Sequence, residues 1–154
     1  THLLSWFGKI ELFESRFGNW FFTTMDVVPV KRGKGDFSAM RTTMEALKEG
    51  AVFAVFPEGH RNPEGTLQKG QGGTIRIAMQ SNVPIIPAAI TGSEHGLRGA
   101  FFGKELKLKF GPAYVMEPTD GQKIPAKVTR ELANDMMYRI AALLPEERRG
   151  AYGE

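Results

Sequence analysis

The chemistry-bearing residues of this 154-residue chain concentrate in two glycine-spaced loops. One reads Phe56-Pro57-Glu58-Gly59-His60-Arg61-Asn62-Pro63-Glu64-Gly65. Gly59 permits a positive φ and lets a ligand approach the backbone. Arg61 offers a planar guanidinium suited to phosphate oxygens. Glu58 cannot hold phosphate itself, because two anions repel; its physical job is to orient an arginine or backbone N–H groups. Farther along, Lys69-Gly70-Gln71-Gly72-Gly73 adds a cation just before a helix N-terminus, which favours anions. The other loop, Lys31-Arg32-Gly33-Lys34-Gly35, contributes Arg32 between two lysines. These residue types specify a phosphate-ester site. Plainer roles stay open: Arg61 pairing with Glu58 or Glu64, Lys31 or Lys34 serving in place of Arg32, Lys69 as a solvated loop charge.

The loops need elements to hold them. Leu12, Phe13, Phe17, Trp20, Phe21 and Met25 recur at helical spacing in an aromatic opening that Gly18 interrupts. Residues 27–30 read as a buried strand leading into the first loop. Asp36 is a candidate N-cap for a helix striped by Phe37, Met40, Met44 and Leu47 and closed by Gly50. Residues 51–56 form a second apolar strand and lead into the second loop. A helix over 74–81, a strand over 84–90, and an alternating half-exposed strand through Leu106, Leu108 and Phe110 follow. Residues 113–116 are read as a continuation of that strand. The last helix spans 126–144, with Val128, Leu132, Met136, Ile140 and Leu143 on its buried face, and Glu146 to Arg149 form a charged tail. Alternating strands and helices predict an α/β fold with a largely parallel sheet flanked by helices. Ligands of such sheets sit beyond the carboxyl ends of the strands, where both loops lie.

Composition narrows the possibilities. With no cysteine, disulfides, zinc-thiolate sites, iron–sulfur clusters and cysteine nucleophiles are excluded. A net charge of +3 and a pI near 9.3 favour anionic surfaces and phosphorylated ligands, but are too weak to imply nucleic acid. No apolar run approaches the ~18 residues of a membrane-spanning helix. Neither Gly-x-x-x-x-Gly-Lys-Ser/Thr nor Gly-x-Gly-x-x-Gly after a strand is present, which disfavours a nucleotide-binding domain.

Four segments, in order, resemble the 1-acylglycerol-3-phosphate acyltransferases (lysophosphatidic acid acyltransferases). Lys9, Glu11 and Leu12 resemble the family's Lys-x-Glu-Leu segment; Val28-Pro29-Val30-Lys31-Arg32 resembles its second motif. Phe56-Pro57-Glu58-Gly59-His60-Arg61 resembles its Phe-Pro-Glu-Gly-Thr-Arg motif, with Gly65, Leu67, Lys69 and Gly70 in the trailing positions. Val83-Pro84-Ile85-Ile86-Pro87 resembles the fourth. The resemblance implies a glycerolipid acyltransferase-like domain over residues 1–154, single and incomplete. It implies transfer of a fatty acyl group from acyl-CoA or acyl carrier protein to the hydroxyl of a lysophospholipid acceptor, 1-acylglycerol 3-phosphate, in phospholipid biosynthesis. Substrate binding falls on Lys9, Arg32, Glu58, Gly59 and Arg61. No metal and no cofactor are implied.

The family's general base is a histidine in a His-x-x-x-x-Asp motif. Here the residues five beyond His2, His60 and His95 are Phe7, Gly65 and Ala100, so the motif is absent and no catalytic residue is assigned. The chain is expected to be truncated before that motif and inactive alone, while its full-length parent is active. His60 stands where the family has Thr, and is a solvated loop residue, a phosphate contact when protonated or, with Glu64, a substitute base. The aromatic opening suits both core packing and a membrane interface. The expected location is peripheral or anchored at the cytoplasmic face of a membrane. Alternative readings are an acyltransferase with another lysolipid or glycerol-phosphate acceptor, and a non-catalytic phospholipid- or anion-binding module.

Overall fold

A computed structural model describes residues 4–25, 27–30, 37–60, 62, 64–92, 105–117 and 124–153. The chain divides into two compact units, Thr1–Val55 and Phe56–Glu154.

The first unit holds β1 (Leu4–Lys9), a 3-10 turn (Ile10–Phe13), α1 (Arg16–Thr24), β2 (Val27–Val30), α2 (Phe37–Lys48) and β3 (Val52–Ala54). Its three strands are parallel in the order β2-β1-β3, with Trp6 opposite Val27 on one side and Ala54 on the other. Parallel neighbours need crossovers, which α1 and α2 supply. The central strand was not legible: Leu4-Ser5-Trp6-Phe7-Gly8-Lys9 has neither alternation nor β-branched residues, and the opening reads as helical. Pairing along both edges decides its conformation. Helix α1 starts later, where Ser15 accepts a hydrogen bond from Gly18 N at 2.9 Å, the geometry of an N-cap. Phe17 and Trp20 on α1 are 71% and 63% exposed, and the Phe17 and Phe21 rings stack with centroids 6.0 Å apart. Asp36, the candidate N-cap of α2, lies outside the described residues. Gly50 ends α2 as predicted, at φ 86°.

The second unit holds α3 (Gly72–Ser81), β4 (Ala88–Thr91), β5 (Lys107–Phe110), α4 (Ala126–Ala141) and two 3-10 turns, Glu146–Arg148 and Gly150–Tyr152. β4 and β5 are antiparallel, with Ala88 opposite Phe110. The chain is thus α/β, but the parallel arrangement among the described residues belongs to the first unit; the later strands form a separate antiparallel pair. Alternation in β5 revealed a strand and not its direction, and all four of its residues are exposed rather than half of them. The predicted strand over 84–90 is broken: Ile85 makes an isolated bridge to Tyr114, and the ladder resumes at Ala88. Pro87 has no N–H to give a ladder, though its carbonyl accepts from Gly111 N at 2.9 Å. Residues 113–116 contribute that bridge and no continuous strand.

Ile75, Met79, Met116, Ala133, Met136, Met137 and Ile140 form the core of this unit. The buried stripe of α4 runs through Thr129, Ala133, Met136, Met137, Ile140 and Ala141; the predicted Met136 and Ile140 belong to it, Leu132 and Leu143 pack at its margin, and Val128 is 38% exposed. Glycine explains why Thr129 and Met137 join the buried face. A Cβ on Gly70 would lie 2.8 Å from Met137 Cγ, and one on Gly72 would lie 2.8 Å from Thr129 Cγ2. The backbone of residues 70–72 therefore lies directly on the Thr129–Ala133–Met137 side of α4. That helix ends at Ala141, three residues before the predicted end, and a turn leads to Pro145.

The charged run 146–149 is a structured turn, with Glu146 and Glu147 exposed and Arg148 and Arg149 half-buried. It leads into Tyr152, which is 6% exposed, packs edge-on against Tyr138 at 5.0 Å and donates from its hydroxyl to Asn134 Oδ1 at 3.3 Å. Tyr114 packs under the Arg139 guanidinium, 4.2 Å from ring centroid to Cζ, and Arg139 Nε donates to Asp135 Oδ2 at 2.9 Å.

Candidate functional site

The loop between β3 and α3 carries the strongest of the predicted motifs. Its first turn closes with Gly59 N donating to Phe56 O at 3.1 Å. Gly59 has φ +71°, in the left-handed region, and a Cβ there would stand 3.0 Å from Gln71 Cγ. Both backbone geometry and space thus call for glycine, as predicted.

Glu58 is half-buried, and its Oε2 accepts from the backbone N–H of Gln68 at 2.9 Å. Of the two partners foreseen for this carboxylate, arginine or backbone N–H, the described residues give the second. Gln71 N donates to Pro57 O at 2.7 Å, so the end of the loop is tied back to its start. Between these ties Asn62 Oδ1 accepts from Glu64 N at 3.0 Å, and its Nδ2 donates to Thr66 O. These bonds within the loop tie its two ends together.

His60 is exposed, with Nδ1 2.8 Å from Glu58 O. A carbonyl only accepts, so Nδ1 carries the proton and Nε2 is the free nitrogen. Glu64 makes no hydrogen bond to the ring among the described residues, so no carboxylate orients this imidazole as a base. An open pocket of about 400 Å³ adjoins it, lined by His60, Gln68, Lys69 and Gln71 on the loop and by Gly150 and Ala151 of the C-terminal turn. Gln71 is the N-cap of α3 without a side-chain cap bond, which leaves the first-turn N–H groups unclaimed by it. An ammonium, two amide side chains and a helix N-terminus suit an anion. Among the described residues, no group of three or more His, Asp or Glu is placed to hold a metal.

Glu58 and Gly59 share this loop. Lys9 belongs to the first unit, at the carboxyl end of β1, where its backbone pairs with Val30. Arg32 and Arg61, with Lys31 and Lys34, lie outside the described residues. Sequence reasoning missed Gln68, Gln71 and the C-terminal turn; Tyr152, an aromatic residue beyond the charged run, was the available signal that the tail packs.

The chain is 29% identical over 124 residues to the 1-acyl-sn-glycerol-3-phosphate acyltransferase of Bacillus subtilis, covering 80% of this chain and 60% of that protein. It is 34% identical over 76 residues to a chloroplastic 1-acyl-sn-glycerol-3-phosphate acyltransferase of Brassica napus, covering 48% of this chain and 22% of the relative. The chain thus spans less than two thirds of these relatives' length. The crystal structure of a 1-acyl-sn-glycerophosphate (LPA) acyltransferase from Thermotoga maritima superposes with a TM-score of 0.62 at 22% identity, over 90% of this chain and 55% of that one. That likeness establishes a glycerolipid acyltransferase-like fold. A family model described as Acyltransferase matches residues 2–91, more than half of the chain and inclusive of all four motif segments, and on that match the chain belongs to the Acyltransferase family.

Proposed function

We propose that the intact protein transfers a fatty acyl group from acyl-CoA or acyl carrier protein to the free hydroxyl of 1-acylglycerol 3-phosphate, a step of phospholipid biosynthesis. The observation that carries this reading is the loop from Phe56, with Gly59 in the left-handed region and Glu58 bonded to Gln68 N–H, inside a chain matching the Acyltransferase model. In this reading Arg61 and Arg32 grip the phosphate, Lys9 adds a cation, Gly59 lets the headgroup approach, and Glu58 keeps the loop in shape. The acceptor hydroxyl attacks the thioester carbonyl, a C–O bond forms, the C–S bond breaks and the thiol leaves with the proton. The base that moves that proton is an imidazole of the His-x-x-x-x-Asp type, which residues 1–154 do not contain. Both units belong to one acyltransferase domain.

The partner surface is a membrane, at its cytoplasmic face and in a peripheral or anchored manner. The exposed Phe17, Trp20 and Phe21 of α1 support this, since aromatic side chains favour the membrane–water interface. No helix among the described residues is long and apolar enough to cross a membrane.

The test is acyl transfer by the intact protein, offered acyl-CoA or acyl carrier protein and either 1-acylglycerol 3-phosphate or a lysophospholipid whose phosphate is a diester. Phosphatidic acid is the expected product, with the diester acceptor poorly used. Equal use of both acceptors, or no product from either donor, refutes the reading.

A further inference from the structure

The family match ends at residue 91, yet the loop that carries the motif is fastened by residues far beyond it. Leu67 N donates to Arg148 O at 2.8 Å. Gly150 has φ +54°, and a Cβ on it would stand 2.3 Å from Leu67 O, closer than real side chains come to backbone. The Arg148 guanidinium lies over Gly65, with Nη1 3.5 Å from where a Cβ would be. Leu67 itself is only 9% exposed. The turn in its turn is fixed to α4: Tyr152 is buried against Tyr138 and Asn134, and Arg149 Nε donates to Leu144 O at 3.0 Å. Arg148 and Gly150 thus seize the same short stretch of loop that Glu58 seizes from the other end, one residue away at Gln68.

We propose that the C-terminal turn from Arg148 to Tyr152 is a positioning element for the phosphate-gripping loop, keyed by Gly150 to Leu67. It touches no reacting atom. It sets where the stretch from Thr66 to Lys69 sits, and through the Gln68–Glu58 bond it sets the start of the motif that contains Arg61. The kinetic side of this role rests on the acyltransferase reading; the clamp itself does not.

The key is tested with Gly150→Ala in the intact protein. A Cβ there is strained by the backbone conformation and collides with a backbone carbonyl, so the turn and Leu67 must part. The expected result is a rise of at least about tenfold in KM for 1-acylglycerol 3-phosphate with KM for the acyl donor unchanged. Gly153→Ala, at φ −86° and with its nearest neighbours at 3.5 Å, is expected to keep both values. A fall in kcat with both KM values unchanged is what loss of folded protein alone produces, and it overturns the proposal. So does an equal rise in Gly153→Ala. Amide exchange of the unaltered protein reads the clamp without any substrate, and decides the matter if Gly150→Ala does not fold. Leu67 N–H is expected to be protected like the amides of α4; exchange at the rate of an open loop overturns the clamp. A protein with a protected Leu67 amide and no acyl transfer would fail the functional reading and keep the clamp.

Discussion

Replacing Glu58 separates two ways in which a carboxylate can serve a phosphate site. Its Oε2 accepts from Gln68 N–H at 2.9 Å in a half-buried setting. A hydrogen bond with one ionised partner contributes about 1.5–3 kcal/mol, and partial exposure argues for the lower half of that range. Glu58→Ala is therefore expected to cost about 1.5–2 kcal/mol in unfolding free energy, because it also leaves the Gln68 N–H without its acceptor. Glu58→Gln keeps an oxygen at the same reach and loses only the charge assistance, a cost of about 0.5–1 kcal/mol. In the function proposed above this loop holds the acceptor, so the alanine variant is expected to raise KM for 1-acylglycerol 3-phosphate about 12- to 27-fold and the glutamine variant about two- to fivefold, at 1.4 kcal/mol per decade. Urea unfolding and acceptor titration in the intact protein measure both quantities. Equal losses in the two variants would mean that the charge acts directly on a cation or substrate, and the hydrogen-bond argument would be wrong.

Other expectations follow from the same structure. Ile75 is fully buried in the second unit, so Ile75→Ala is expected to lose about 2–5 kcal/mol in urea unfolding; a loss below 1 kcal/mol would contradict the core assigned here. The Tyr114 hydroxyl is buried without a hydrogen-bond partner among the described residues, so Tyr114→Phe should be neutral or about 1 kcal/mol more stable near pH 7. Burial pushes the Tyr114 hydroxyl above its ordinary value of 10.0; Arg139 opposes this and Asp135 adds to it. The fold disfavours the ionised form, so stability is unaffected below about pH 10 and falls as pH rises toward the higher folded value, a loss that Tyr114→Phe lacks and that unfolding at pH 9 and 11 would reveal. The double replacement Phe17→Ala with Trp20→Ala should leave stability nearly unchanged while weakening sedimentation with anionic vesicles severalfold; unchanged sedimentation would remove α1 from the membrane contact.

Periodicity and punctuation made β2, α2, β3, α3 and α4 legible in the sequence. Gly50 marked the end of α2 because it tolerates the left-handed region, whereas α4 stops at Ala141, ahead of the end that Pro145 suggested. β1 escaped because its strand character comes from two neighbours, not from its own residues. The direction of β5 and the part of the α4 face formed by Thr129 and Met137 escaped for a related reason: both depend on what packs opposite, and the glycines at 70 and 72 gave no hint of Met137 and Thr129. At the candidate site, Gly59 and the backbone-orienting role of Glu58 were legible from local chemistry. The grip of Arg148 and Gly150 on Leu67 was not, since no spacing rule links residues so far apart in the chain.

The central claim is that the loop following Pro57 holds a phosphate monoester through Arg61. Kinetics of Arg61→Ala and Arg61→Lys in the intact protein test it most directly. Charge-assisted bonds of about 1.5–3 kcal/mol predict a rise of about 10- to 150-fold in KM for 1-acylglycerol 3-phosphate for alanine, a smaller rise for lysine, and an unchanged KM for the acyl donor. An unaltered acceptor KM in Arg61→Ala would contradict the account.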